Sequence, residues 1–219
     1  HRLRHLCHAD MSISSVMQHH TRKLQLDPAH PAIKRKRFRK CCWTEFYRDE
    51  IEAIPWNMPL PRGNSMSTHC FVDANHAGDT ETRRSQTGIL LFCNKAPTIW
   101  FSKRQNSVEA STFGSEFTAM KNAVEMIEAL RYKLRMFGVP IEGPTNIFCD
   151  NGAVCANTTR PESTLTKKHY SIAYHRSREA VAAGTVRVSK EHTSTNLADI
   201  FTKTMPATKR EDLLDSFTY

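Results

Sequence analysis

His69-Cys-Phe-Val-Asp-Ala-Asn-His-Ala-Gly78 is the stretch on which the reading of this chain turns. Cys70, Phe71 and Val72 form a short apolar run that ends on a carboxylate, Asp73, and a small polar turn closed by Gly78 follows. The pattern predicts a buried strand delivering an acid to the edge of a sheet, where the turn leaves room for a ligand. Alone, an aspartate at a strand end is more often a turn former. A second apolar run, Ile147-Phe148-Cys149, ends the same way on Asp150-Asn151-Gly152. Side by side, two such strands would bring two carboxylates together, and like charges that close need a cation between them.

Between and beyond these runs the pattern is mixed α/β. Thr87–Asn94 and Thr98–Ser102 read as further strands with short connections, an antiparallel meander. Residues 112–137 read as the best helix, with Phe113, Phe117, Met120, Val124, Ile127, Leu134 and Phe137 on one apolar stripe and Gly138 and Pro140 as its stop. Strand 145–149, a short helix at 153–157, a helix over 169–183 closed by Gly184, a strand at 185–189 and a last helix near Asn196 complete the order. Helices packed on a central sheet follow from it.

Two more acids stand out. Glu116 lies on the apolar stripe, where a carboxylate is costly unless something positive meets it; a side chain reaching from the helix edge to solvent is the equal alternative. Asp199 falls in the first turn of the last helix, where the helix dipole alone accounts for it. With Asp73 and Asp150 they make four hard oxygen donors from four elements, a set that selects Mg²⁺ or Mn²⁺ over zinc. Four acids suit a pair of ions roughly 3.5–4 Å apart on a phosphodiester. The chain has no Gly-x-Ser-x-Gly elbow and no Gly-Lys-Ser/Thr phosphate loop.

With 31 Lys+Arg against 22 Asp+Glu, the net charge of +9 and pI near 9.3 favour a polyanionic partner such as nucleic acid over a merely solvated basic surface. The seven cysteines follow no regular spacing, and Cys70, Cys93 and Cys149 sit in apolar runs, which reads as reduced core thiols in an intracellular protein. No apolar run approaches transmembrane length and no signal peptide is seen; a first residue of His rather than Met fits a fragment or a processed product. Residues 1–67 differ in texture. Segment 1–23 carries His1, His5, His8, His19 and His20 in no zinc-finger spacing, so a polar helix is the better reading. The run Lys34–Lys40 reads equally as a solvated face, a nuclear-import signal or a phosphate-contacting patch. Pro55, Pro59, Pro61 and Gly63 mark an extended linker, and a domain boundary is expected there.

Several short motifs then fall in one order: Val72-Asp-Ala-Asn-His-Ala-Gly78, Arg83-Arg-Ser-Gln-Thr-Gly88, Trp100-Phe-Ser-Lys-Arg-Gln105, Ser111-Thr-Phe-Gly-Ser-Glu-Phe117, Cys149-Asp-Asn151, Lys168-His169, Tyr174-His175, Arg178-Glu179 and Asn196-Leu-Ala-Asp-Ile-Phe-Thr-Lys203. Their order and content resemble the ribonuclease H region of copia-type LTR retrotransposon polyproteins, over about 68–204. Weaker similarity (Lys23-Leu24, Asp27-Pro28, Trp43, Phe46-Tyr47, Pro59 to Gly63) reaches into the connection that follows reverse transcriptase in such polyproteins.

The resemblance implies an RNase H-like fold, a five-stranded mixed sheet flanked by helices with a less regular N-terminal arm. It divides the chain into a connection arm (1–67), the RNase H-like domain (68–204) and a C-terminal tail (205–219). It also implies an endonuclease that hydrolyses the RNA strand of RNA–DNA hybrids, with Asp73, Glu116, Asp150 and Asp199 as catalytic residues and ligands of two Mg²⁺ ions, Mn²⁺ substituting. Asp73 would bridge the ions. Relatives often carry a first glutamate where this chain has Gly114, which leaves Glu116 as the helix acid. Arg83, Arg84, Lys103, Arg104 and Asn151 would meet the nucleic acid, although solvated turn charges explain the four basic residues as well. His192 precedes Asp199 by fewer residues than the product-release histidine of cellular relatives, and no role beyond packing or hybrid contact follows for His169 and His175. The implied partners are the hybrid and the reverse transcriptase domain of the same polyprotein, with no membrane. The implied location is the cytoplasm, inside a virus-like particle for an active element, or the nucleus. A copy that binds nucleic acid without cutting it, or another nuclease of the superfamily, are the competing readings.

Overall fold

The computed structural model describes residues 40–165 and 168–217. The histidine-rich segment 1–23 and the basic run, Lys40 excepted, lie outside them. Three strands, β1 (Thr68–Asn75), β2 (Gln86–Cys93) and β3 (Ala96–Arg104), form the antiparallel meander. β4 (Thr145–Cys149) and β5 (Val186–Lys190) add in parallel on the other side of β1, giving the order β3-β2-β1-β4-β5. This is the five-stranded mixed sheet expected. The strand at 69–73 is central because it is apolar on both faces, as a strand covered on both sides must be.

On one face Cys70, Val72, Ile89, Leu91, Ile147 and Cys149 pack with Phe117, Met120, Val124 and Ile127 of helix α2 (Thr112–Met136). Full burial of each of the larger of these side chains contributes roughly 1.5–3 kcal/mol. On the other face Phe71, Leu90, Phe92 and Phe148 are buried, and Phe71 stacks on Phe148 with ring centres 5.0 Å apart. Cys70 and Cys149 are buried free thiols and Cys93 a half-buried one. Among the described residues no helix is long and apolar enough to cross a membrane.

Ser111 caps α2 by accepting from Gly114 N, and Gly138, at φ +69°, ends it. Gly138 N donates to Arg135 O at 2.8 Å and Val139 N to Leu134 O at 2.9 Å, the paired bonds of a glycine-terminated helix. Phe137, expected on the apolar stripe, is instead the capping residue, where the backbone leaves the helical repeat, and it is exposed. Helix α3 (Gly152–Thr159) starts at the Asp150-Asn-Gly turn, and a 3-10 turn (Lys168–Tyr170) leads into helix α4 (Ser171–Ala182). The last helix expected near Asn196 is a single 3-10 turn, Leu197–Phe201.

Cys41–Thr204 form one compact unit. It includes helix α1 (Lys40–Tyr47) and the irregular, proline-rich stretch after it. Arg178 of α4 is 1% exposed, and no carboxylate pairs with it among the described residues. Its guanidinium donates to the carbonyls of Asn157, Arg160 and Pro161, to Ser163 Oγ and to Tyr47 Oη, each at 2.7–2.9 Å, and lies over the rings of Trp43, Tyr47 and Tyr174. Burying a cation without a carboxylate is costly unless its N–H groups find acceptors, and here the last turn of α3, the loop after it and α1 supply them. Further on, Glu52 grips Arg131 (2.7 and 2.8 Å) and Arg135 (2.5 and 2.6 Å) in two forks. Burial pushes the Glu52 carboxyl up, but the hydrogen bonds from both arginines outweigh it and hold it down at about 2. Arg62 N and Met66 N then donate to Gly138 O and Pro140 O, each at 2.8 Å, which ties 62–66 to the end of α2. The second unit carries Met205–Tyr219, where α5 (Ala207–Asp215) is helical.

Candidate metal centre

The register of β1 against β4 builds the first half of the site. Val72 pairs with Cys149 in a parallel ladder, so the next residues, Asp73 and Asp150, leave adjacent strands together at the same end. Asp73 is still within β1, opposite Gly88 of β2. A side chain at Gly88 would place its Cβ 2.6 Å from Thr202 Cγ2 and 2.8 Å from the Ala198 carbonyl. Glycine is needed here for close approach, because the 3-10 turn that carries Asp199 lies directly on β2.

That turn is fastened on three sides. Asn196 caps it by accepting from Ala198 N and donates to Val72 O at 3.1 Å, beside Asp73. Asn75 Nδ2 donates to Thr202 O at 3.1 Å, and Ser102 Oγ to Phe201 O at 2.6 Å. Thr202 Oγ1 donates to Asp73 Oδ2, and Lys203 Nζ donates to Asp199 Oδ1 at 2.7 Å and to Asp73 Oδ1 at 3.3 Å. The packing delivers Asp199 buried, and the helix dipole is not needed to explain its place.

Glu116 enters from α2. The start of that helix is pinned by Gln105, whose Nε2 donates to Thr87 Oγ1 and to Ser115 O, both at 2.9 Å. At Gly114 a Cβ would fall 2.2 Å from Tyr170 Oη, which bonds Ser111 Oγ at 3.0 Å. The tyrosine fills the space a side chain at 114 would use, so a glutamate there is sterically excluded and Glu116 is the carboxylate α2 supplies.

Asp73, Asp150 and Asp199 each offer an oxygen within 4.8 Å of the other two. Glu116 and Asp150, with the Cys149 thiol, form a second group on the same limit. Asp150 is the acid common to both groups. Hydrogen bonding from Cys155 and burial push the Cys149 thiol well up, so it is protonated and a poor ligand beside the carboxylates. Burial, reinforced by Asp73 and Asp150, pushes Glu116 up to about 9. Burial also raises Asp73, against the Thr202 hydrogen bond and Lys203. Lys203 is lowered by burial, but the Asp199 hydrogen bond and the charge of Asp73 outweigh this and leave it raised.

The donor set fits a hard divalent cation. Glu116 Oε2 is buried without a hydrogen-bond partner, an oxygen left for something other than protein to satisfy. The proton on Glu116 has a measurable consequence without any ion. A carboxyl whose pKa rises from 4.5 to about 9 on folding binds more protons folded than unfolded between those values. Stability is therefore full below the lower value and falls as pH rises towards the upper one. Urea unfolding in EDTA at about pH 5 and about pH 8.5 should show this loss. Glu116→Gln should flatten the part of the slope that Asp73 does not contribute; an unchanged slope would mean Glu116 ionises normally.

The remaining candidate residues lie around this end of the sheet. Gln86 pairs with Arg104 and Thr87 with Lys103, which sets both basic residues at the end where Asp73 leaves β1. Lys103 is exposed, whereas Arg104 is paired with Asp79. Arg83 is exposed at φ +56° in the 79–84 turn, and Arg84 is half-buried. Asn151 caps α3, accepting from Ala153 N and Val154 N. His192 is exposed after β5, its Nδ1 held by Ser194. His175 meets Tyr47 Oη at 2.9 Å, and the His169 ring lies tilted beside Tyr170 with ring centres 4.0 Å apart. Sequence reasoning gave no chemistry to Thr202, Lys203, Asn196, Gln105 or Gly88. All five lie inside the quoted motifs, but which acid each serves depends on contacts far apart in the chain.

Gly88→Val should push the 197–201 turn off β2 and lower the thermal midpoint by several degrees, on the scale of about 1–3 kcal/mol for overpacking. An unshifted midpoint would show that the turn does not depend on this approach.

No family model matches the chain. Among curated proteins it is 34% identical over 147 residues to the retrovirus-related Pol polyprotein from transposon RE2 of Arabidopsis thaliana, covering 66% of this chain and 10% of that protein. It is 34% identical over 152 residues to that from transposon RE1 of the same plant, covering 68% and 10%. It is 30% identical over 175 residues to that from transposon TNT 1-94 of Nicotiana tabacum, covering 75% and 13%. The chain thus spans about a tenth of the length of these relatives. Among solved structures, an RNase H1 termed LC11 in complex with RNA/DNA hybrid aligns at TM-score 0.49 and 11% identity, covering 62% of this chain and 94% of that one. The RNase H1 of Halobacterium salinarum aligns at 0.46 and 16%, covering 68% and 98%.

Proposed function

We propose, from the premise that this chain is homologous to a segment of the Pol polyproteins of copia-type transposons, that it is a nuclease hydrolysing the RNA strand of RNA–DNA hybrids. The observation that carries the proposal is the convergence of acids from four separate elements, Asp73, Asp150 and Asp199 in one group and Glu116 with Asp150 in another, Glu116 keeping a buried oxygen without a hydrogen-bond partner among the described residues. Such an arrangement is costly to fold and has an evident use only with cations in it.

A pair of divalent ions, Mg²⁺ or Mn²⁺, would supply an activated water and charge stabilisation to a phosphodiester held at this cup. Asp73, Asp150 and Asp199 would hold one of them, and Glu116 with Asp150 the other. Glu116 gives up its proton on binding, because the cation favours the charged form that burial opposes. Thr202 fixes the rotation of Asp73 and Asn196 fixes the turn of Asp199, so the acids are set before substrate arrives. Arg83, Arg84, Lys103 and Arg104 meet backbone phosphates at the same end of the sheet. Asn151 lines the approach from the α3 side, and His192 assists product departure. The natural substrate is the hybrid made by the reverse transcriptase domain of the same polyprotein.

Hybrid, duplex DNA and single-stranded RNA offered with Mg²⁺ and with EDTA test the reading. RNA in the hybrid should be cut, with Mg²⁺ only, and binding should weaken steeply with salt. Equal cutting of duplex DNA would point to another nuclease; binding without cutting would leave a nucleic-acid-binding module.

A further inference from the structure

Lys203 brings a cation of its own into the acidic cup. Its ammonium donates to Asp199 Oδ1 at 2.7 Å and to Asp73 Oδ1 at 3.3 Å, and lies 3.3 Å from Asp73 Oδ2. The two carboxylates are 1% exposed, whereas the lysine side chain is 34% exposed. The anions are therefore fixed inside the fold and their counter-ion stands at the rim. One helical step separates Asp199 from Lys203, so the lysine is tied to the last acid by the chain itself.

We propose that Lys203 is a place-holder for a divalent cation: its ammonium bridges the first and last acids until an ion binds there, and the ion displaces it. The inference rests on the reading of the cup as a divalent site. The ammonium stands in the space between the two carboxylates that an ion held by both would take, within 2.7–3.3 Å of their oxygens, and two cations that close repel. Asp73 is further held by Thr202 and Asp199 by its buried turn, so the partner that moves is the lysine. Lysine suits such a displacement because its single charged nitrogen rides on a flexible stem, and leaving requires no rearrangement of the fold. Without an ion it relieves the repulsion between Asp73 and Asp199 and keeps the cup closed; on binding, it gives up that contact. A metal therefore binds more weakly than the bare acids would allow, in exchange for a site that is intact beforehand.

Two measurements on the full chain test this. Titrating Mg²⁺ by calorimetry should show Lys203→Met binding about ten times tighter than wild type, a ratio that corresponds to ~1.4 kcal/mol. Acylation of lysines, read by mass spectrometry, should modify Lys203 of the wild type several-fold faster with saturating Mg²⁺ than without. Lys121, paired with Glu125 on α2, serves as the unchanged reference. Asp199→Asn should speed Lys203 acylation without Mg²⁺, and the labelling decides the matter even if Lys203→Met does not fold. Mg²⁺ binding with unchanged Lys203 labelling would overturn the place-holder and leave the divalent site standing. No heat of binding in wild type and variant alike would overturn both.

Discussion

Asp150→Asn is expected to lower hydrolysis of an RNA–DNA hybrid by ~10³-fold or more, the scale of losing one fixed group at the centre of charge stabilisation. Of the four acids it is the one whose oxygen belongs to both ion-sized groups, with Asp73 and Asp199 on one side and Glu116 on the other. Its replacement therefore damages both positions, where loss of Asp199 removes a ligand from one. The fold should be unaffected. Asp150 is half-buried, it follows the last residue of β4, and the neighbouring cap of α3 is made by Asn151. Asparagine keeps the shape and removes the charge. An unchanged urea midpoint with lost activity, beside full activity in Glu125→Gln, where the replaced acid pairs with Lys121 one turn away on α2, is the expected pair of results. Equal rates for Asp150→Asn and wild type would end the assignment.

The second large effect concerns stability. A chain beginning at Thr68 should be less stable than Cys41–Thr204 by ~3 kcal/mol or more, because it leaves buried charge unpaired. Arg131 is 3% exposed and meets Glu52 through two hydrogen bonds. Removing residues 41–67 removes that carboxylate and also takes Trp43 and Tyr47 away from the Arg178 guanidinium. Both arginines would remain, Arg131 with Gly143 O and Thr145 Oγ1 as its other contacts. Glu52→Gln in the longer chain isolates the first part: it keeps two acceptor-sized groups in place and removes the charge. Its effect should also shrink in acid. The wild-type carboxyl is held at about 2 against 4.5 unfolded, so its stabilisation is complete above the higher value and lost as pH falls to the lower. Urea midpoints of the three chains at neutral pH measure this; indistinguishable midpoints would show that 41–67 merely lies on the surface.

How much of this was legible in the sequence differs by element. β1 and β4 were, because each is a short apolar run that stops on Asp and a turn. α2 was as well, because its apolar stripe and its glycine stop are local features. The four acids were singled out by position and motif; the structure sets Asp73, Asp150 and Asp199 within reach of one another and Glu116 beside Asp150. Their partners were not legible. Gly88 looks like any strand glycine until the turn at 197–201 is laid on it, and Gly114 reads as a missing glutamate until Tyr170 fills its space. Nothing in the sequence marks Arg178 as buried, yet it is, since its partners include backbone carbonyls whose direction no residue name reveals. Likewise the prolines at 55–61 do mark irregular backbone, but nothing in them says that Glu52, just before, fastens that segment to α2.

The parallel pairing of β1 with β4 sets an order of events during synthesis. Val72 and Cys149 are ladder partners although a meander and a long helix separate them in the chain, and the turn that carries Asp199 arrives later still. A ribosome releasing the chain from its N-terminus exposes Asp73 long before anything can stand beside it, and contacts between distant residues are slow to form. The cup thus closes only with the last stretch of the unit, so a nascent or prematurely ended chain lacks its third aspartate.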